Sequence, residues 1–190
     1  MIENTELAEL AAELGLLLKA RGCMLVLAES CTGGMIAEAV TSIAGSSAWF
    51  ECGFVTYSNQ SKINMLGVSV QTLEQFGAVS EQTAKEMAVG CLNNIKPSSC
   101  NANLSEISLD KTNVSKPSIN RLIIAASVTG IAGPDGGTPQ KPVGTVCFAC
   151  AVPDLPAATY TQLFTGNRQQ IRYQASIFLL KTLIKMLASV

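Results

Sequence analysis

The 190-residue chain contains no histidine. That absence removes the Ser-His-Asp triad, the Cys-His pair and every histidine-ligated metal site from the chemistry open to it. A side-chain nucleophile would need Lys, a carboxylate, Tyr or a water as its base. Charge is also scarce: charged residues make up 14%, the formal net charge is −1, and Lys and Arg are not clustered. Such a surface has no electrostatic footprint for nucleic acid or for an anionic membrane. Long apolar runs are missing, because "LIIAASV" and "VCFACAV" are strand-length and far short of a bilayer span. The N-terminus "MIENTELAEL" is acidic and lacks the basic start and apolar stretch of a signal peptide, so a cytoplasmic protein is expected. The seven cysteines are an odd number. Cys23, Cys52, Cys91, Cys147 and Cys150 lie in apolar stretches, which suits small buried hydrophobes better than a disulfide framework.

What the chain does have is apolar content, at 48% of residues, and enough length for one well-formed core, so a single domain over residues 1–190 is expected. "ELAELAAELGLLLKA" carries apolar residues at helical spacing up to Gly22. A strand at about 23 to 28, a helix at about 33 to 43 and the β-rich run "AWFECGFVTYS" follow. "NQSKINMLG" and "VQTLEQFG" read as short helices ending at glycines, and "SEQTAKEMAVGCLNNI" as a longer helix with Ser80 as its N-cap. "RLIIAASV", "GTVCFACAV" and a stretch at about 157 to 164 read as strands, and "NRQQIRYQASIFLLKTLIKML" as a long closing helix. Helices alternating with apolar strands predict a single-domain α/β sandwich with a mixed sheet flanked by helices. Residues 96–120 break the pattern, being rich in Ser, Asn, Lys and Pro with little apolar periodicity. They read as a flexible surface insertion, with an active-site lid as the alternative.

Four stretches carry candidate chemistry. "LAESCTGG", residues 27–34, reads as the end of a strand, a sharp turn and a helix start. Gly33 and Gly34 let the backbone approach a ligand closely there, and Ser30 would project from the turn with N–H donors nearby, as an acyl-transfer nucleophile requires. Equally, Ser30 or Thr32 would serve as a plain helix cap. Cys31 is a rival nucleophile that lacks the usual histidine partner. In "YSNQSK", Tyr57 ends a strand and Lys62 lies about one helical turn beyond Asn59, so both can face one cavity. A lysine acts as base to a serine only if burial or nearby positive charge lowers its pKa from about 10.4; otherwise about one molecule in a thousand or fewer is neutral at pH 7. The alternative is an exposed lysine on a short helix. "SVTGIAGPDGGTPQKPVGTV", residues 127–146, places five glycines and three prolines between two strands. It matches neither a Walker A loop nor a complete dinucleotide fingerprint, and reads as a ligand-approach loop or an elaborate turn. In "GNRQQIR", Arg168 and Arg172 share a face at the start of the last helix, suited to a phosphate or carboxylate, or simply to solvent.

In order and spacing, "AESCTGG" (28–34), "GSSAWFECGFVTYSNQSKINMLGV" (45–68), "GAVSEQTAKEMA" (77–88), "VTGIAGPDGGTPQKPVGTV" (128–146) and "GNRQQIR" (166–172) together resemble the CinA C-terminal domain family. The resemblance spans nearly the whole chain apart from the 96–120 segment, which is longer than the family's usual connection. It implies an amidohydrolase that converts nicotinamide mononucleotide to nicotinate mononucleotide and ammonia, recycling pyridine nucleotides. The family's catalytic serine, lysine and tyrosine fall on Ser30, Lys62 and Tyr57. No metal and no organic cofactor are implied, and the partners expected are a small-molecule nucleotide substrate and a second copy of the chain in a homo-oligomer, a dimer for preference. On this reading the turn of Cys31, Thr32, Gly33 and Gly34 supplies oxyanion donors. Thr129, Gly130, Gly133 and Pro134 shape the nucleotide pocket, and Arg168 or Arg172 takes the phosphate. The catalytically silent alternative is a nucleotide-binding or regulatory protein of the same family.

Overall fold

The computed structural model describes residues 4–95 and 121–188, and the expected insertion at 96–120 lies outside them. The chain runs α1 (Asn4–Ala20), β1 (Cys23–Glu29), α2 (Met35–Thr41), a 3₁₀ turn (Ser46–Ala48), β2 (Phe50–Val55), α3 (Asn59–Leu66), α4 (Val70–Phe76) and α5 (Glu81–Ile95). It continues with β3 (Leu122–Gly130), β4 (Thr145–Ala151), β5 (Ala158–Leu163) and α6 (Arg168–Ala188). The five strands form one sheet in the order β2-β1-β3-β4-β5. β2 and β3 run parallel to β1, whereas β4 and β5 are antiparallel additions. The mixed sheet flanked by helices is therefore as the periodicities predict.

The central strands read as continuous apolar runs because both of their faces are covered. Alternate residues divide between two cores: Leu25, Leu27, Ile124, Ala126, Val146 and Phe148 face a layer built from α1, α2 and α6. Val26, Ala28, Ala125, Cys147 and Ala149 face the opposite layer, where α3 contributes Leu66 and α5 contributes Ala84, Met87, Ala88 and Cys91. Ser80 caps α5, its hydroxyl accepting from the Thr83 N–H at 3.1 Å. The strand expected across 48–58 is shorter, Phe50–Val55, because Ser46–Ala48 is wound into the 3₁₀ turn and Ser58 starts a helix. No helix among the described residues is long and apolar enough to cross a membrane.

This layering determines where a site can form. β1 leads into α2 on one face of the sheet, while β2 leads into α3 to α5 on the other. The two connections diverge at the carboxyl ends of adjacent parallel strands, which opens a crevice there. α3 lies close on α5, where a Cβ added to Gly90 would run into the Leu66 carbonyl. Gly90→Ala is expected to push the two helices apart and to lower the unfolding midpoint by roughly 3–10 °C. Calorimetry checks this, and an unchanged midpoint would refute the close approach.

Candidate active site

The site is built by the ends of β1 and β2 and the first turn of α3. Ser58 caps α3 and forms a reciprocal capping box with Ser61, so the helix start is fixed by local sequence. Lys62 follows one residue later, and side chains on a helix lean toward its N-terminus. Its amine therefore turns back over the residues that enter the helix. Nζ lies 2.9 Å from the Ser30 Oγ, 2.8 Å from the Thr56 carbonyl oxygen and 3.5 Å from that of Tyr57. Lys62 is 1% exposed and Ser30 7%. Burial pushes the Lys62 amine down to about 8, against a smaller opposing effect of the neighbouring Cys31. At that value about one amine in ten is neutral at pH 7. A neutral amine has two N–H groups and one lone pair, and the arrangement offers two carbonyls and one hydroxyl. The reading of Ser30 or Thr32 as a helix cap does not hold. The N-cap of α2 is Gly34 at φ 93°, and neither Ser30 nor Thr32 makes a side-chain cap there.

Geometry favours Ser30 over Cys31 as the nucleophile, because the Lys62 amine meets the Ser30 hydroxyl and the Thr56 and Tyr57 carbonyls, with the Cys31 thiol not among its hydrogen-bond partners. Burial pushes the Cys31 thiol up to about 12, so about one molecule in a hundred thousand is thiolate at pH 7. It lines the same cavity as Ser30, Lys62, Tyr57 and Asn59, a space of about 190 Å³. That volume falls below the ~300–1,000 Å³ usual for whole drug-sized ligands, so it suits one planar ring with the remainder of the molecule directed outward.

The turn after Ser30 is bonded mostly to itself. Gly33 N–H donates to the Ser30 carbonyl and Met35 N–H to that of Thr32. Glu29, 1% exposed, accepts from the N–H groups of Gly34, Ile36 and Ala37 at 3.0, 3.3 and 2.8 Å. Two of the four expected oxyanion donors, Gly33 and Gly34, are thus already engaged. Among the described residues, Cys31 and Thr32 are the turn amides held neither by a main-chain carbonyl nor by the Glu29 carboxylate. The hydroxyls of Thr32 and Thr56 are buried without a partner among those residues, a cost of about 1–3 kcal/mol each that concentrates beside the dyad.

Tyr57 meets Lys62 through its main-chain carbonyl, while its ring is 61% exposed and its hydroxyl accepts from Arg168 at 2.7 Å. Arg168 also donates to the Gly133 carbonyl at 2.8 Å and lines the cavity. Arg172 has a different role, donating from Nη2 and Nε to the Thr32 carbonyl and holding the turn from outside. Thr129 lines the cavity, but its hydroxyl donates to the Ala78 carbonyl, tying the β3 end to the loop before α5. Gly130 also lines the cavity, yet a Cβ there would come within 2.8 Å of Val146, and one on Gly133 within 2.5 Å of Val143. Internal packing alone therefore demands both glycines. Pro134 is exposed and outside the cavity lining. Among the described residues no cluster of three or more His, Cys, Asp or Glu could hold a metal ion, and Cys23, Cys31, Cys52, Cys91, Cys147 and Cys150 are free thiols. Glu29 is what sequence reading missed: an acidic residue at a strand end, ahead of a helix start, is a recognisable signal.

The model of the CinA C-terminal domain family matches residues 7–104 and 119–187. The chain belongs to that family. It is 49% identical over 184 residues to the nicotinamide-nucleotide amidohydrolase PncC of Enterobacter agglomerans, covering 97% of each chain. With the protein of the same name from Escherichia coli K12 it shares 45% identity over 180 residues, or 95% of this chain and 94% of that one. These relatives bear out the expectation of an amidohydrolase. Among solved structures, the competence/damage inducible protein CihA of Agrobacterium tumefaciens superposes with a TM-score of 0.78 at 38% identity, covering 95% of each chain. A competence damage-inducible protein A from Klebsiella pneumoniae gives 0.78 at 34% identity, covering 96% of this chain and 97% of that one. The family match leaves 105–118 unaligned, inside the segment read as an insertion.

Two measurements test this geometry. Cys31→Ala should retain activity within about threefold, since the thiol is protonated; a loss of 100-fold or more would restore it as a nucleophile. The Lys62 amine titrates lower in the folded chain, about 8, than its ordinary 10.5, so the unfolded chain binds more protons between those values. Stability should therefore rise with pH across that window and carry the penalty of a buried ammonium below it. Denaturant unfolding of wild type and Lys62→Met should show the difference moving in favour of wild type by about 3 kcal/mol from pH 7 to pH 11. A flat difference would contradict the depressed value.

Proposed function

We propose that the chain hydrolyses the carboxamide of nicotinamide mononucleotide to the carboxylate and ammonia, with Ser30 as nucleophile and Lys62 as base. The observation that carries the reading is the buried 2.9 Å contact between the Lys62 amine and the Ser30 hydroxyl in a chain without histidine. The names of its relatives, nicotinamide-nucleotide amidohydrolases, support the substrate class.

Neutral Lys62 takes the Ser30 proton, and the alkoxide attacks the carboxamide carbon. The negative charge developing on the carbonyl oxygen is met by the Cys31 and Thr32 amides, the two that neither a main-chain carbonyl nor the Glu29 carboxylate engages. As the tetrahedral intermediate collapses, the C–N bond breaks and the Lys62 ammonium returns its proton to the departing nitrogen, which leaves as ammonia. A water then gives its proton to Lys62 and its oxygen to the acyl carbon, and Ser30 is released as the hydroxyl. The carboxamide ring occupies the narrow cavity. The phosphate lies outward against Arg168, whose exposed guanidinium is held by Tyr57 and Gly133 at the rim. Tyr57 thus serves to position that arginine.

Ammonia release from nicotinamide mononucleotide should be abolished in Ser30→Ala and Lys62→Met. Release persisting in Ser30→Ala would sink the nucleophile. The rate should climb about tenfold per pH unit below about 8 and level off above it, because the neutral amine is the active form. A profile flat from pH 6 to 9 would exclude Lys62 as the base. Arg168→Ala should raise KM at least tenfold with a smaller change in kcat, and an unchanged KM would move the phosphate elsewhere.

A further inference from the structure

We propose that Glu29 is a positioning residue, the junction through which the nucleophile and its base are held in one geometry. The inference rests on the Ser30–Lys62 reading above, and Glu29 itself touches neither reacting atom.

A helix N-terminus leaves unsatisfied amides that commonly attract a ligand's anionic group. At α2 those amides are all engaged from within: Gly34, Ile36 and Ala37 by the Glu29 carboxylate and Met35 by the Thr32 carbonyl. The carboxylate occupies the place a substrate phosphate would need. Its side chain also closes a ring from residue 29 to residue 37, and Ser30 sits inside that ring with little slack.

The main chain of Glu29 serves the other half of the dyad. Its carbonyl accepts the Thr56 N–H at 2.8 Å, and the Thr56 carbonyl accepts from Lys62 Nζ at 2.8 Å. Lys62 Nζ then contacts Ser30 Oγ, while the Ser30 N–H donates to the Val128 carbonyl. A closed circuit of hydrogen bonds therefore runs from Glu29 through Thr56 and Lys62 to Ser30, the residue after Glu29. Loosening the carboxylate frees the Ser30 side of this circuit alone, and the base then faces a hydroxyl that is no longer fixed. A displacement of about 1 Å at a reacting group costs on the order of 100-fold in rate.

Glu29→Gln keeps the shape but turns an N–H₂ group toward an amide that needs an acceptor. With nicotinamide mononucleotide the variant should lose about 100-fold in kcat with KM within threefold, and the acid limb of the pH profile should stay where wild type has it. A plain cap would lower the unfolding midpoint and leave kcat unchanged, which overturns the proposal. So would a raised KM with kcat intact, which marks a substrate contact, or a shifted acid limb, which marks action on the charge of Lys62. If Glu29→Gln does not fold, Glu29→Asp retains the charge while shortening the reach, and the same split is read on it. Labelling of Ser30 by a fluorophosphonate needs the activated hydroxyl but no nucleotide, and is measured on the same samples. A wild type that labels yet releases no ammonia defeats the amidase reading alone. Labelling slowed by a comparable factor in the variant supports the proposal, and equal labelling overturns it. A wild type that neither labels nor releases ammonia removes both.

Discussion

A lysine amine kept out of water against a serine hydroxyl is the constraint around which the structure is arranged. Burying an ammonium is costly, and the fold supplies two carbonyls and one hydroxyl in partial compensation while retaining the depressed affinity for the proton. That balance is delicate. A well-solvated lysine would be permanently charged, and a lysine without acceptors would destabilise the chain. Two neighbouring threonine hydroxyls are buried without partners among the described residues, so this part of the molecule tolerates a polar cost that the apolar cores do not.

The surrounding elements are placed by that requirement. Parallel β1 and β2 bring Ser30 and Thr56 side by side, the Ser58 capping box fixes where α3 begins, and the lean of helical side chains returns Lys62 to the strand ends. The close seat of α3 on α5 at Gly90 then sets the depth of the lysine. From the other side of the sheet, Arg172 of α6 fixes the Thr32 carbonyl, so the helix farthest along the chain completes the turn that follows the first strand.

Much of this was legible in the sequence, for reasons that differ by residue. Strand and helix positions followed from periodicity because each central strand is buried on both faces and each helix on one. The absence of histidine leaves lysine among the few bases open to a serine, and Lys62 is the group at Ser30. The division of labour between Arg168 and Arg172 was not legible, because four residues apart on a helix means one face in sequence, yet one guanidinium reaches the cavity rim and the other the turn. The Tyr57 hydroxyl pairs with a residue 111 positions away, a contact no local spacing encodes. Gly130 and Gly133 read as ligand-approach positions, but side chains of Val146 and Val143 already occupy the space a Cβ would need. The engagement of the Gly33 and Gly34 amides is not encoded in local spacing, because their acceptors depend on how the turn closes.

The points where residues 96–120 join the fold have a separate consequence. Ile95 closes α5 and Arg121 precedes β3, whose far end carries Val128 beside Ser30. From Leu122 to Val128 the strand rises roughly 20 Å, and Ile95 packs against the same core as Ile123, so both attachment points stand at the opposite end of the strands from the chemistry. For a protein engineer this is a convenient handle: an affinity tag, a fluorophore or a surface linker grafted between those two roots would hold the molecule by its base with the cavity mouth turned outward.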